Sequence, residues 1–542
     1  MQFQIHYVMK RIFVITLLFT FISITFAQSK KTFKADTTVD GLYRIYEALE
    51  LIENKYVDSS DLNKLSESAV SEMLRKLDPH SIYISSKDVQ KANEALQGNF
   101  EGVGVSFQII KDTIYVTDVI KGGPAEHVGI RRGDRIIAID TLNATGDTIN
   151  NQWVPRYMRG PKGSQVVLTV LRGSRQYTFN LTRGRVPIYS VDNYFLTDDS
   201  IGYLRLLRFS RTSDNEVTQA IKALKDQGMK ALVLDLRGNT GGYLDIATRL
   251  ANEFIPKKSL IVYTQGRHSP RRNIVSNYKG CWREQPIVVL IDEGSASASE
   301  ILSGAIQDWD RGILVGRRSF GKGLVQQIYT LRDGAQIRLT TARYYTPSGR
   351  CIQKPYAQGT DEYQKDYYER YKHGELVSAD SIHFPDSLRY TTHAGRIVYG
   401  GGGIMPDIFV PIDTTKLTDY YVKIREQNLF EIWCMQWADQ HRAPYEQLGF
   451  DYFLSCCDSS YLTEQFTNYV SAQGIDRDSL SATADQDRIL FTDQYIPILL
   501  KAIIAKDLYG VPYYFRVIKD IDKIYLAGIE QARKQISGAT TK

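Results

Sequence analysis

Two short runs, Ala231-Leu232-Val233-Leu234-Asp235-Leu236 and Ile287-Val288-Val289-Leu290-Ile291, constrain this chain more than any other feature. Each is almost continuously apolar, as expected of a strand buried on both faces, and each leads into a glycine-rich or small-residue turn and then a helical pattern. Strand and helix alternate in this way from Ile201 to about Pro411, which predicts an α/β core. At 542 residues and 43% hydrophobic the chain can bury roughly three or four domains, and disorder is excluded. The net charge of +6 comes from interspersed signs without a block of like charge, which argues against a nucleic-acid partner. Five cysteines without a C-x-x-C pair and eight histidines without H-E-x-x-H predict neither a disulfide framework nor a metal site.

Around this core the chain divides by pattern. Residues 1–27 read as a signal peptide: Lys10 and Arg11 precede the apolar Ile12 to Phe26, and Thr25-Phe26-Ala27 places small residues at a cleavage site. The expectation is an exported protein of the periplasm or cell envelope, with anchoring by residues 12–27 as the alternative. Residues 35–97 read as a helical module, on the spacing of Leu42, Ile45, Leu49, Ile52 and Tyr56 and a second helix stopped at Asp78-Pro79. Residues 98–185 hold short β-rich runs between glycine turns. Residues 186–411 are the α/β core, within which 356–400 reads as a surface insertion. Residues 412–542 are helical, near Leu417–His441, Tyr461–Ala472, Ile496–Lys506 and Phe515–Ile536, with Pro497 expected in a first turn. These helices read as a packing appendage, the N-terminal ones as packing or dimer surface, and a homo-oligomer through the helical regions is left open.

The turn after Ile291 carries Ser295-Ala296-Ser297-Ala298-Ser299-Glu300. A serine in a strand-to-helix turn can present its hydroxyl at a helix N-terminus, where free N–H groups favour a developing oxyanion; plain helix capping is the alternative. No serine lies in G-x-S-x-G, and no histidine stands in a pattern that would make it the base. A neutral lysine can serve instead, and Lys322, between Gly321 and Gly323, is the candidate. Gln326, four positions on, returns to the same face and could orient it. The run from Gly316 to Gly323 imitates a phosphate loop, but Gly323 stands where a magnesium-binding Ser or Thr belongs, which argues against a nucleotide.

Gly102-Val103-Gly104-Val105, the run Gly122 to Ile130 and Arg132-Gly133-Asp134 resemble a PDZ domain, a module that adds a peptide C-terminus to a sheet edge. Ser295 to Ile301, Phe320-Gly321-Lys322-Gly323-Leu324-Val325-Gln326 and Leu234 to Gly242 resemble the carboxy-terminal processing peptidases, or tail-specific proteases. Asp78-Pro79-His80-Ser81, Thr341 to Arg350 and Gly402-Gly403-Ile404-Met405-Pro406-Asp407 extend the likeness over about Asp78 to Val410.

That resemblance implies a multidomain α/β protein: a crotonase-like peptidase core with an inserted PDZ domain, an N-terminal helical module and a C-terminal helical extension. It implies Ser297 as nucleophile, Lys322 as general base and Gln326 orienting the lysine. It places the oxyanion hole at Ala298 and either Gly241 or Gly242. Asp308, Arg237 and Asn239 are expected to support the site, and Gly102, Val103, Gly104 and Val105 to bind peptide. No cofactor is implied; the partners are protein or peptide C-termini, with an adaptor protein left open. Thr240, where relatives often carry proline, and Arg317-Arg318 depart from the pattern without touching the dyad. Two other readings are a catalytically inactive PDZ scaffold and an acyl-CoA enzyme of the crotonase type.

Overall fold

The computed structural model describes residues 35–110, 112–277, 280–412, 418–477 and 486–540, so the expected signal peptide lies outside the described residues. The chain divides into two compact units between Met73 and Leu74. The first holds the helix Ala35–Lys55 and most of the helix Leu62–Arg75; on its spaced apolar face Leu49 and Ile52 are half-buried, whereas Leu42 and Ile45 are exposed.

In the second unit a six-stranded sheet runs, in spatial order, Val191–Leu196, Ile201–Leu206, Ala231–Asp235, Ile287–Ile291, Ile313–Gly316 and Ile408–Phe409, antiparallel only at the first pair. Side chains alternate along a strand, and the two apolar runs fill both faces. Leu232, Leu234, Ile287, Val289 and Ile291 pack with Val217, Ile221, Leu250, Phe254, Ile301 and Leu302 of the helices Ser213–Asp226, Leu244–Phe254 and Ala298–Asp308. Val233, Val288 and Leu290 point the other way, onto Ile524, Tyr525 and Ile529 of the last helix, Lys523–Thr540. The expected single helix Phe515–Ile536 is therefore two. A 3-10 turn, Lys519–Ile521, ends the first, and Asp522 starts the second by accepting the Tyr525 N–H.

Because the core strands are parallel, the turns after Asp235, Ile291 and Gly316 emerge at one end of the sheet, where parallel sheets bind ligands. A second sheet of five strands is centred on the long strand Gln336–Tyr345. Leu324–Thr330 pairs along one edge; Ile82–Ile84 and the hairpin Leu260–Gly266/Ser269–Val275 take the other.

Residues of the PDZ-like region form their own sheet, Val105–Ile110, Thr113–Val119, Arg135–Ile139, Gln165–Arg172 and Arg175–Thr182, reached through the paired strands Asn99–Gly102 and Gly184–Pro187. Asp134, fully buried, is held by Arg172 at 2.7 Å. The strand Val105–Ile110 lies at the sheet's edge. Gly104, at φ 87°, tolerates no side chain without strain. Val103 is a core residue, 2% exposed, with its carbonyl taken by Ala125 N–H, so it offers a peptide no side chain.

The helices Asp419–Glu426, Leu429–Leu448, Phe450–Cys456, Ser459–Ala472, Gln486–Tyr509 and Val511–Ile518 bury a separate core around Phe430, Phe466, Leu500 and Ile504. Pro497, expected in a first turn, lies inside a 24-residue helix. The bond it cannot make is outweighed by the burial of Ile496, Leu499, Leu500 and Ile503 around it. No helix of the described residues is long and apolar enough to cross a membrane.

Candidate active site

The three turns at the sheet's end converge on a cleft of about 290 Å3 lined by Gly241, Gly242, Ser297, Ala298, Lys322, Gln326, Arg338 and Tyr344, with Leu96, Leu244, Ile301 and Ile328 supplying apolar wall. Ser297 sits at φ 56°, a strained backbone for a serine and one seen where structure holds a functional group in place. The strain lifts its side chain into the cleft: of residues 295–299 it alone is not buried. Its neighbours brace the turn, Ser295 Oγ donating to Leu236 O and Ser299 Oγ to Asn239 O, both at 2.8 Å.

Glu300 ties the serine turn to the lysine loop. Its buried Oε2 accepts the N–H of Ser297 (2.7 Å) and of Lys322 (2.9 Å), and its Oε1 accepts Gly321 N–H (2.7 Å) and the Ser319 hydroxyl (2.6 Å). Burial raises the carboxyl's pKa, while these four donors favour its charged form. The Tyr344 hydroxyl makes a second tie, 2.7 Å from Lys322 O and 3.1 Å from Ser297 O. Arg370 donates to the carbonyls of Ser319 and Phe320, Lys354 N–H to that of Gly321, and Gln353 accepts Gly323 N–H. With its backbone groups so engaged, the lysine loop has few free groups with which to shift. Segment 356–400, expected on the surface, thus turns inward: Tyr363 and Arg370 are buried because they pack behind this loop.

Among the described residues the Lys322 amine has no hydrogen-bond or ion-pair partner, and burial lowers its pKa; Arg338 pushes the same way, against Glu300 and Asp78. Nearby His80 is held neutral, its pKa lowered to about 4 by burial and by Lys322, with Nε2 2.9 Å from the Tyr363 hydroxyl. Ser297 Oγ and Lys322 Nζ share the cleft without a hydrogen bond between them. Gln326 also faces it, but its Nε2 donates to Thr340 Oγ1 (3.1 Å), not to the lysine; Thr340 in turn donates to Asp78, which Ser81 and His80 N–H also hold.

At the glycine pair the structure separates two roles. Gly241 N–H is spent on Asn239 Oδ1 (2.9 Å), and a side chain there would lie 2.8 Å from Ala296 O and 2.9 Å from Ala298 N. The N–H groups of Gly242 and Ala298 donate to no described residue and line the cleft beside Ser297. Asn239 is the strut of this turn, binding Leu206 O and accepting Ala296 N–H. Arg237 points out of the cleft, to Asp235 (2.6 Å) and Asp522 (2.7 Å). Asp308 is likewise outside it, in a fully buried pair with Arg350 (2.7 Å) that shapes the turn Thr346–Arg350.

Residues 200–362 match Peptidase family S41 and residues 115–172 match PDZ domain; residues 21–88 match the Activating protease CtpB N-terminal domain, and 420–510 a family of unknown function. A Carboxy-terminal-processing protease of Bartonella bacilliformis is 37% identical over 340 residues, 61% of this chain and 76% of the relative. The chain belongs to that protease family. A "Probable CtpA-like serine protease" of Staphylococcus aureus is 32% identical over 340 residues, 62% of this chain and 68% of its own length. A solved Photosystem II D1 C-terminal processing protease aligns at 26% identity over 68% of this chain and 92% of its own, with a TM-score of 0.35. For a member of this protease family, the sequence brought the serine, lysine, glutamine and glycine pair to one cleft. It gave no role to Glu300 or Tyr344, although Ser297-x-x-Glu300 has the spacing of a capping box and was the available signal.

Proposed function

We propose that this chain is an exported serine endopeptidase that cuts protein substrates near their C-termini with a Ser297–Lys322 dyad. The observation that carries the reading is the pairing, in one cleft, of a strained serine with an amine that burial drives toward neutrality. Ser297 Oγ attacks the scissile carbonyl as its proton passes to Lys322 Nζ, and Ala298 and Gly242 N–H receive the oxyanion. Lys322 then protonates the departing amine. A water molecule, losing its proton to Lys322, releases the acyl group and restores Ser297. The chemistry needs the Ser297–Lys322 hydrogen bond, so side-chain movement on substrate binding must form it. Gln326 would orient the lysine once released from Thr340.

The PDZ-like domain, with an edge strand at Val105–Ile110 reached from Gly102-Val103-Gly104-Val105, is read as the holder of the substrate's tail. A crotonase-like core agrees with the parallel sheet, and the exposed Leu42, Tyr46 and Leu51 suit a second copy of the chain as partner. The test follows by intact mass a loosely folded protein with an apolar C-terminus, free or amidated, incubated with the protein or its Ser297→Ala variant. Cleavage lost in the variant and weakened by amidation is the expected result. Equal cleavage by both proteins overturns the nucleophile.

A further inference from the structure

Arg338 shares the cleft wall with the dyad, directly across from Ile328 in the paired strands and on the same face as Gln326. It is half-buried, and burial lowers its pKa, with no carboxylate among the described residues acting on it. One nitrogen, Nη2, donates to Ala92 O (3.2 Å) and Asn93 Oδ1 (3.0 Å); Nε is buried with no acceptor among the described residues. Other arginines around the site are paired: Arg237 with Asp235 and Asp522, Arg317 with Glu293, Arg350 with Asp308. Among the described residues no aspartate or glutamate lines this cleft, whose remaining wall is largely apolar.

A desolvated guanidinium with donors to spare is costly unless an acceptor arrives, and a carboxylate is the acceptor its planar fork fits. We propose that Arg338 is a specificity-determining residue that receives a carboxylate of the substrate inside the catalytic cleft. The carboxylate comes from an acidic side chain near the scissile bond or from the substrate's own C-terminus. The proposal deepens the peptidase reading and rests on it for the identity of the ligand as a polypeptide.

Binding by the full-chain Ser297→Ala protein tests it without turnover. Labelled apolar peptides carry glutamine or glutamate at successive positions, each with a free or amidated C-terminus, and their Kd values are compared. At one position, or at the terminus, the carboxylate form should bind about tenfold tighter than its amide. Adding Arg338→Gln should bring that ratio close to one, and Arg338→Lys should restore part of it. Should Arg338→Gln not fold, Arg338→Met keeps the packed stem and must show the same loss. The glutamate and terminus arms separate the two sources. A ratio of one in the Ser297→Ala protein, or a preference that survives Arg338→Gln because it belongs to the PDZ-like domain, overturns the proposal. Cleavage of the preferred carboxylate-bearing peptide by the unaltered protein is scored separately. Its absence with an intact, Arg338-dependent preference counts against the peptidase reading alone.

Discussion

Burial holds the Lys322 amine below its ordinary value, with Arg338 adding to the effect and Glu300 and Asp78 opposing it. Between that lowered value and 10.5 the unfolded chain binds a proton that the folded one does not, so folding stability rises with pH across this window. Activity should move the same way, since the neutral amine is the proposed base: kcat/KM climbs with unit slope in pH and levels off below 10.5. A flat profile through neutral and alkaline pH would remove Lys322 from the base role. Lys322→Met should end turnover yet stabilise the fold at pH 7 by on the order of 1 kcal/mol, read as a higher melting temperature, because it removes a desolvated amine without a partner among the described residues. Glu300 predicts the opposite balance. Glu300→Gln places an NH2 group among four donors, leaving two of them unmatched at a buried site. The expected cost is about 2–4 kcal/mol of stability and roughly a hundredfold in kcat with a smaller change in KM, read by denaturant unfolding and steady-state kinetics.

Among the elements, the turn Asn239 to Gly242 shows how little room the site leaves. Gly241 has φ 100°, and a methyl there would press on Ala296 O, Ala298 N and Ser297 Cβ, all within 2.9 Å. Gly241→Ala should therefore displace the serine turn and cost on the order of 10²- to 10³-fold in kcat, while far-ultraviolet circular dichroism stays unchanged. What could be read from sequence follows the same division between local and distant causes. The buried strands were legible because two-sided burial makes a run apolar at every position, and the serine turn because small residues must follow such a strand. Asn239 and Arg237 were legible only as supports of the site, without the partners Leu206 and Asp522 that fix them. The inward turn of Tyr363 and Arg370 was not, since a helix rich in Tyr and charge reads as surface until a partner loop accepts its hydrogen bonds. Nor was Gln326 bonding Thr340, because the strand pairing that sets them side by side is a tertiary fact. The break at Asp522 was missed for a similar reason: Arg237, far off in sequence, shares that carboxylate.

The chain as a whole closes on itself in a way that its order hides. The sheet bearing the serine and lysine turns is covered on one face by helices from its own crossovers, but on the other by a helix that arrives only after the entire C-terminal bundle. Ile529, 4% exposed, packs there with Val233, Val288 and Leu290, and Gly528 lets the backbone approach until a methyl would meet Leu290 at 2.6 Å. The last helix is thus a layer of the domain that carries the cleft rather than an appendage, and the core cannot bury both sheet faces until that helix has been made. Ile529→Asp should then destabilise the core by about 3–5 kcal/mol, summing the lost apolar contact and an unpaired buried carboxylate. Ending the chain after Ile521 should expose the whole face and yield aggregated protein without activity. Leu526→Asp, at an exposed position one turn away, is the control that should leave unfolding within about 0.5 kcal/mol. If the chain ending at Ile521 were monomeric, cooperative in thermal unfolding and active, the last helix would be dispensable, and the sheet's second face would have to be stable in water.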